Sequence, residues 1–206
     1  VAKVKICGLR TPDAVAAAVE AGADWLGFVF FARSPRAVGA TQAADLIRPV
    51  AGRAGAVGLF VDPTENEVAA VLREATLDIL QIYADSDRAM ALRRRFGLPV
   101  WHAVGVAVRS DLPETSPFDA LLIEARPPEG SDRPGGNGTG FDWSIARGWQ
   151  APAPWLLAGG LDPQNVAAAI AASGAVAVDV SSGVERTIGV KDPDRIRRFV
   201  QAAKRA

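Results

Sequence analysis

The stretch WLLAGGLDPQNVAAAIAASGAVAVDVSSG (residues 155–183) holds one complete strand–loop–helix–strand–loop unit. Trp155–Gly160 reads as a strand running into a glycine loop. Asp162–Gly174 reads as a helix, and Ala175–Gly183 as a strand that ends in Ser181-Ser182-Gly183. Both strands are apolar almost throughout, the pattern of parallel strands covered on both faces.

The same unit recurs towards the N-terminus. Val4–Cys7 reads as a first strand. Thr11-Pro12-Asp13 then supplies an N-cap, a proline at the first helical position and an acid in the first turn. Ala14–Ala21 continues that helix to Gly22. Further strands read at 24–31, 56–62, 78–83, 100–106 and 118–124, with helices at 41–50, 63–75 and 85–97 and a closing helix at 192–206. Eight strand candidates alternating with helices predict an α/β fold, a (β/α)8 TIM barrel, in one domain over 1–206. At 206 residues the chain is short for that fold. The segment 107–117, with Asp111, Pro113 and Pro117, carries little helical pattern, so the fifth helix is expected to be reduced or missing. A doubly wound open sheet is the alternative, weakened because no GxGxxG follows the first strand.

Composition excludes several classes. Lys+Arg and Asp+Glu both total 23, so nothing electrostatic points to nucleic acid or an anionic membrane. One cysteine cannot form an internal disulfide, and no zinc spacing is present. No run has the length of a membrane span and no signal-type N-terminus is visible, which predicts a soluble cytoplasmic protein.

Barrel enzymes work on the face where the strands end. The residues there are Cys7, Arg36 in the 31–36 loop, Asp62, Gln81, Tyr83, His102, Glu124, Gly159-Gly160, and Asp179 with Ser181-Ser182-Gly183. Glycines and serines after strands seven and eight suit a phosphate site, because glycine lets backbone N–H groups approach the oxygens. Gly159, Gly160, Ser182 and Gly183 are therefore candidate phosphate ligands. The loop 126–143 is long and glycine-rich for a plain connector, and Gly136 and Gly138 could add further N–H groups. Arg36 offers a planar fork that matches a carboxylate. Cys7 and Glu124 could serve as base and acid in moving a proton between carbons, which would make the protein an isomerase. A small core cysteine fits the spacing equally well. His102 is the single histidine, which speaks against paired-histidine chemistry. A packed or surface-facing role suits it better.

VKICGLR, GFVFFARSPR, VGLFVD, LQI, PGGNGTGFDW, LAGGLDPQNV and VDVSSGVE…GVKDP, in this order, resemble the N-(5′-phosphoribosyl)anthranilate isomerases of tryptophan biosynthesis. The resemblance runs from residue 3 to about 200. It implies a (β/α)8 barrel with no cofactor and no metal. It implies a small phosphoribosyl substrate, no nucleic-acid or membrane partner, and a monomer or homodimer. The implied reaction is an Amadori rearrangement of N-(5-phosphoribosyl)anthranilate to 1-(2-carboxyphenylamino)-1-deoxyribulose 5-phosphate. By motif, Cys7 is the general base and the strand-six acid is the general acid. Arg36 matches the residue that holds the anthranilate carboxylate, and Asp179 lies beside the substrate with Gln81 and Tyr83. Gly160 and the Ser182-Gly183 backbone match the phosphate site.

The chain departs from the family pattern at three places. Glu124 stands where the family carries aspartate, Tyr83 where it carries histidine, and His102 where it carries lysine. One extra methylene moves a carboxyl by about 1.5 Å, and misplacement of order 1 Å can cost about 100-fold in rate. Glu124 and Tyr83 thus keep open a sugar-phosphate-binding barrel with weakened catalysis, or a partner of other pathway enzymes. A related barrel isomerase of histidine synthesis is disfavoured, since those relatives place a carboxylate where Cys7 stands.

Overall fold

A computed structural model describes residues 1–126 and 141–206. Eight parallel strands close into a barrel in sequence order: β1 (Lys3–Cys7), β2 (Trp25–Val29), β3 (Gly55–Val61), β4 (Ile79–Tyr83), β5 (Val100–Val106), β6 (Ala120–Ala125), β7 (Trp155–Leu157) and β8 (Ala177–Val180). β8 pairs back onto β1 with Lys5 opposite Asp179, which seals the ring. The open-sheet alternative is thereby overturned.

The pleat sorts each strand's residues into two cores. Val57, Trp101, Ala120, Leu122, Leu156, Ala158 and Ala177 point inward and fill the barrel. Val4, Ile6, Leu26, Phe28, Phe60, Leu80 and Ile82 point outward and meet the helices. Trp25 and Trp101 meet edge to face inside the barrel at 4.9 Å, filling it as side chains rather than leaving a pore.

Helices α1 (Pro12–Glu20), α2 (Ala40–Ile47), α3 (Glu65–Glu74), α4 (Ser86–Phe96), α5 (Val166–Ser173) and α6 (Pro193–Arg205) cover that outer face. Their starts follow local chemistry. The Thr11 side chain accepts from the Ala14 N–H, and Thr64 and Glu67 form a reciprocal capping box. α4 ends on Gly97 in the left-handed conformation, with three arginines in its last turn. α6 buries Ile196, Phe199, Val200 and Ala203 along one stripe.

Between β5 and β6 a 3-10 turn at Arg109–Asp111 stands where a full helix would, as the prolines and Asp111 led us to expect. Asp111 is spent on the turn itself, accepting from the Ala107 and Val108 N–H groups. A second 3-10 turn, Trp143–Ala146, precedes β7. Arg109 ties the two turns together by donating to the carbonyls of Ile145 and Arg147.

The sequence reading missed a short hairpin after β8, formed by β9 (Glu185–Thr187) and β10 (Val190–Lys191). Its strands are too short to show a period, so nothing in the pattern marks it.

Asp62, at the end of β3, has φ +43°, a conformation that a β-branched side chain resists. Its carboxylate is held by Arg88 at 3.0 Å. Asp62→Val is expected to destabilise the fold by about 1–2 kcal/mol. At about 2–4 °C per kcal/mol for a chain of this size, thermal unfolding should show a drop of several degrees. Asp62→Gly should leave the midpoint within about 2 °C of the starting protein.

Candidate active site

The strand ends surround a cavity. Cys7, Arg36, Tyr83, Glu124, Gly159, Gly160, Asp179, Ser181 and Ser182 all line it, with Phe31, Leu59 and Val61 as an apolar wall. The structure thus brings together the strand-end residues of β1, β2, β4, β6, β7 and β8.

Cys7 is 4% exposed and faces inward from the end of β1. Two residues earlier the same face carries Lys5, which is fully buried. Its ammonium donates to Asp179 Oδ1 at 2.8 Å. Burial works to lower the lysine, but Asp179, with Cys7, more than offsets it, and Lys5 stays above the ordinary lysine value. Burial raises the Cys7 thiol above its ordinary value. Lys5 and Lys191 pull it down and Asp179 pushes it up. Gly27 on β2 makes room for this arrangement: a Cβ there would stand 3.0 Å from the sulfur and 3.1 Å from Lys5 Nζ.

Across the barrel, Glu124 is buried on β6. Tyr83 on β4 interacts with it, both through charge and as a hydrogen-bonding partner. Burial, then Glu124, Asp179 and Cys7, hold the Tyr83 hydroxyl well above its ordinary pKa, so it works as a neutral hydroxyl. Gln81 does not line the cavity. It is fully buried one layer below, with Nε2 3.4 Å from the Tyr83 hydroxyl. Its Oε1 has no partner among the described residues.

Arg36 is held in place by a carboxylate of the protein itself. Its Nε and Nη2 donate to Glu185 at 2.6 and 3.0 Å, a bidentate fork buried beside the cavity. Glu185 also accepts from Lys191 Nζ at 2.9 Å and from the Gly189 N–H at 3.1 Å. Its burial favours the neutral acid, but the Arg36 and Lys191 contacts outweigh that and hold the carboxyl below its ordinary value. Lys191 is depressed to about 8, by burial first and by Arg36, against the pull of Glu185. Among the described residues, two cations and one carboxylate make up this cluster, a net charge of one positive while Lys191 is protonated.

The glycine–serine loops close the remaining side. Gly159 and Gly160 both have positive φ, and Asn165 Nδ2 donates to the Gly160 carbonyl at 2.8 Å. Gly183 lies behind the lining rather than on it. A Cβ at Gly183 would sit 1.9 Å from the Leu161 carbonyl oxygen, so glycine is what lets the β7 and β8 loops touch. Gly136 and Gly138 lie outside the described residues.

His102 faces the helix layer. It stacks on Phe118 at 4.4 Å, and its Nε2 is 2.8 Å from the Ala84 carbonyl oxygen. Three charged residues of the site were not singled out from the sequence: Lys5, Glu185 and Lys191. Lys5 could have been found as the one charge inside the apolar run Val4–Cys7. Glu185 and Lys191 lie inside the family motif VDVSSGVE…GVKDP quoted above, but they sit on the unread hairpin and were given no role.

A parallel barrel with a thiol, a carboxyl and paired glycine–serine loops at the strand ends has the make-up of a (β/α)8-barrel enzyme acting on a phosphorylated small molecule. Comparison with known proteins narrows this. Residues 4–202 match the family model described as N-(5′phosphoribosyl)anthranilate (PRA) isomerase. The proteins of that name from Acidiphilium cryptum and Rhodospirillum rubrum are 57% and 49% identical. The first alignment covers all of both chains, the second 98% of this chain and 97% of the relative. The crystal structure of the Thermotoga maritima phosphoribosyl anthranilate isomerase matches all of both chains with TM-score 0.85 at 31% identity. The chain belongs to the N-(5′-phosphoribosyl)anthranilate isomerase family, and it is an isomerase of that kind.

Proposed function

We propose that this single barrel domain converts N-(5-phosphoribosyl)anthranilate to 1-(2-carboxyphenylamino)-1-deoxyribulose 5-phosphate, with Cys7 as general base and Glu124 as general acid. The observation that carries the reading is the placement of that thiol and that carboxyl on one buried cavity, on strands β1 and β6, beside the β7 and β8 loops. A solved phosphoribosyl anthranilate isomerase, 30% identical with TM-score 0.84, was crystallised with reduced 1-(o-carboxyphenylamino)-1-deoxyribulose 5-phosphate, a ligand of the product's shape.

In this reading the phosphate rests on the loops at Gly159-Gly160 and Ser182-Gly183, and the anthranilate carboxylate meets the positive cluster at Arg36. Glu124 gives its proton to the furanose ring oxygen. The C1–O bond breaks and the anthranilate nitrogen becomes an iminium. That cation withdraws electrons from C2, so a thiolate suffices to remove the C2 proton. The resulting enolamine takes a proton at C1 and loses the one on the C2 hydroxyl, leaving the ketone. C1 is reduced and C2 oxidised within one molecule, which makes the enzyme an intramolecular oxidoreductase of the aldose–ketose type. The same reading places it in the cytoplasm, as a monomer or homodimer, in tryptophan biosynthesis. Among the described residues no helix is long and apolar enough to cross a membrane.

The test is turnover of N-(5-phosphoribosyl)anthranilate, made in situ from anthranilate and phosphoribosyl pyrophosphate and followed by loss of its fluorescence. Turnover upholds the reading. Binding of the phosphorylated ligand without turnover overturns it in favour of a binding barrel. Gly183→Ala should then raise KM by about tenfold or more with a smaller change in kcat. It forces the β7 and β8 loops apart and so removes phosphate binding common to ground state and transition state.

A further inference from the structure

Lys5 is the most deeply buried charge of the site, with no exposed surface at all. Burying an ammonium costs several kcal/mol, and an apolar side chain of similar volume in its place is often neutral or stabilising. Packing therefore gives no reason for a lysine in the barrel centre. Its surroundings do. Strand register sets Lys5 opposite Asp179 on β8, and the pleat sets it under Cys7 on the same strand. The missing Cβ of Gly27 leaves one small space that both the sulfur and Nζ border, at 3.0 and 3.1 Å. One proton of the ammonium goes to Asp179 Oδ1 at 2.8 Å, and the remaining N–H groups lie beside the space that the sulfur borders. The Ser181 hydroxyl donates to the Cys7 carbonyl at 3.2 Å, fixing the strand end in this position.

We propose that Lys5 is a positioning residue for the base: anchored by Asp179, its ammonium donates to the Cys7 sulfur and favours the thiolate. This rests on the reading of Cys7 as the base. Among the described residues, the groups facing the sulfur are Lys5 on β1, Asp179 on β8, Lys191 on β10 and Tyr83 on β4, with Glu124 on β6 across the cavity. Catalysis needs a thiolate and a carboxylic acid together, so Cys7 and Glu124 share one proton in the active form. The S–H bond breaks, the proton goes to the Glu124 carboxylate, and the electron pair stays on sulfur. Lys5 raises the share of molecules in that arrangement. At the end of proton transfer Cys7 is a thiol and Glu124 a carboxylate, and the Lys5–Asp179 pair is unchanged.

Cys7 is the only thiol in the sequence, so its ionisation can be read directly as thiolate absorbance near 240 nm, with Cys7→Ser as the blank. In Lys5→Met the midpoint should rise by about one pH unit or more, and kcat should fall at least tenfold with a smaller change in KM. The alkaline limb of the kcat profile should move upward with the midpoint. Lys5→Met leaves Asp179 without its ion pair. If that variant does not fold, Lys5→Met/Asp179→Asn carries the same test. The double variant removes the ammonium that borders the sulfur together with its counter-ion, and its midpoint should still rise. A folded variant with an unmoved midpoint overturns the proposal, whatever happens to its rate. Failure of the underlying reading looks different: Cys7→Ser would then turn over normally even though Lys5→Met shifts the thiol.

Discussion

Cys7→Ser is expected to lower turnover by about 10³-fold or more and to leave the unfolding midpoint and phosphate-ligand affinity nearly unchanged. A serine hydroxyl fills the space of the thiol but ionises far too weakly to act as a base at neutral pH. The size of the loss is that of removing a positioned general base, typically 10²–10⁴-fold, and the measurement is single-turnover loss of substrate fluorescence. A residual rate within tenfold of the starting protein would sink the assignment of Cys7. The pH dependence follows from the shared proton. Between the carboxyl and thiol midpoints the Cys7–Glu124 pair keeps one proton, so kcat should be flat through neutral pH. It should fall on the alkaline side only when the thiol titrates, and burial puts that limb above the ordinary thiol range. KM behaves differently. Lys191 loses its proton near pH 8, and the cluster around Arg36 then loses one positive charge. Binding of the anionic substrate should weaken above that pH while kcat is still level.

The barrel was readable because its evidence is repeated. Apolar runs ending in small or polar residues recur along the chain, and a pattern seen eight times survives an error in any one unit. Val4–Cys7 and Ala175–Gly183 show it clearly, since each closes on the site residues themselves. The same logic gave Cys7, Glu124, Gly159-Gly160, Asp179 and Ser182 as strand-end groups, and the cavity gathers them. What could not be read is what depends on closure of the ring. Lys5 meets Asp179 across 174 positions of sequence, and Arg36 meets Glu185 across 149. Gln81 shows the limit of the strand-end rule. It sits two residues before Tyr83, on the same face, and that one pleat step drops it from the cavity into the layer beneath.

Glu124→Gln should cost about 10²–10⁴-fold in turnover, measured as kcat at saturating substrate. The amide keeps the volume of the acid and can still donate a hydrogen bond, but it has no proton to release to the ring oxygen as the C1–O bond breaks. Glu124→Asp is the more informative change. Shortening the side chain restores the acid usual in this family yet withdraws the carboxyl by about 1.5 Å. It also draws it away from the Tyr83 hydroxyl, which in this chain interacts with the longer acid and is itself held from below by Gln81. If the cavity is built around glutamate, Glu124→Asp should lose about 100-fold. Adding Tyr83→His to Glu124→Asp should then recover part of that loss, because the two positions touch and their effects will not add. A Glu124→Asp variant faster than the starting chain would show instead that glutamate is a handicap here, and would move the reading toward a barrel that binds its ligand better than it converts it.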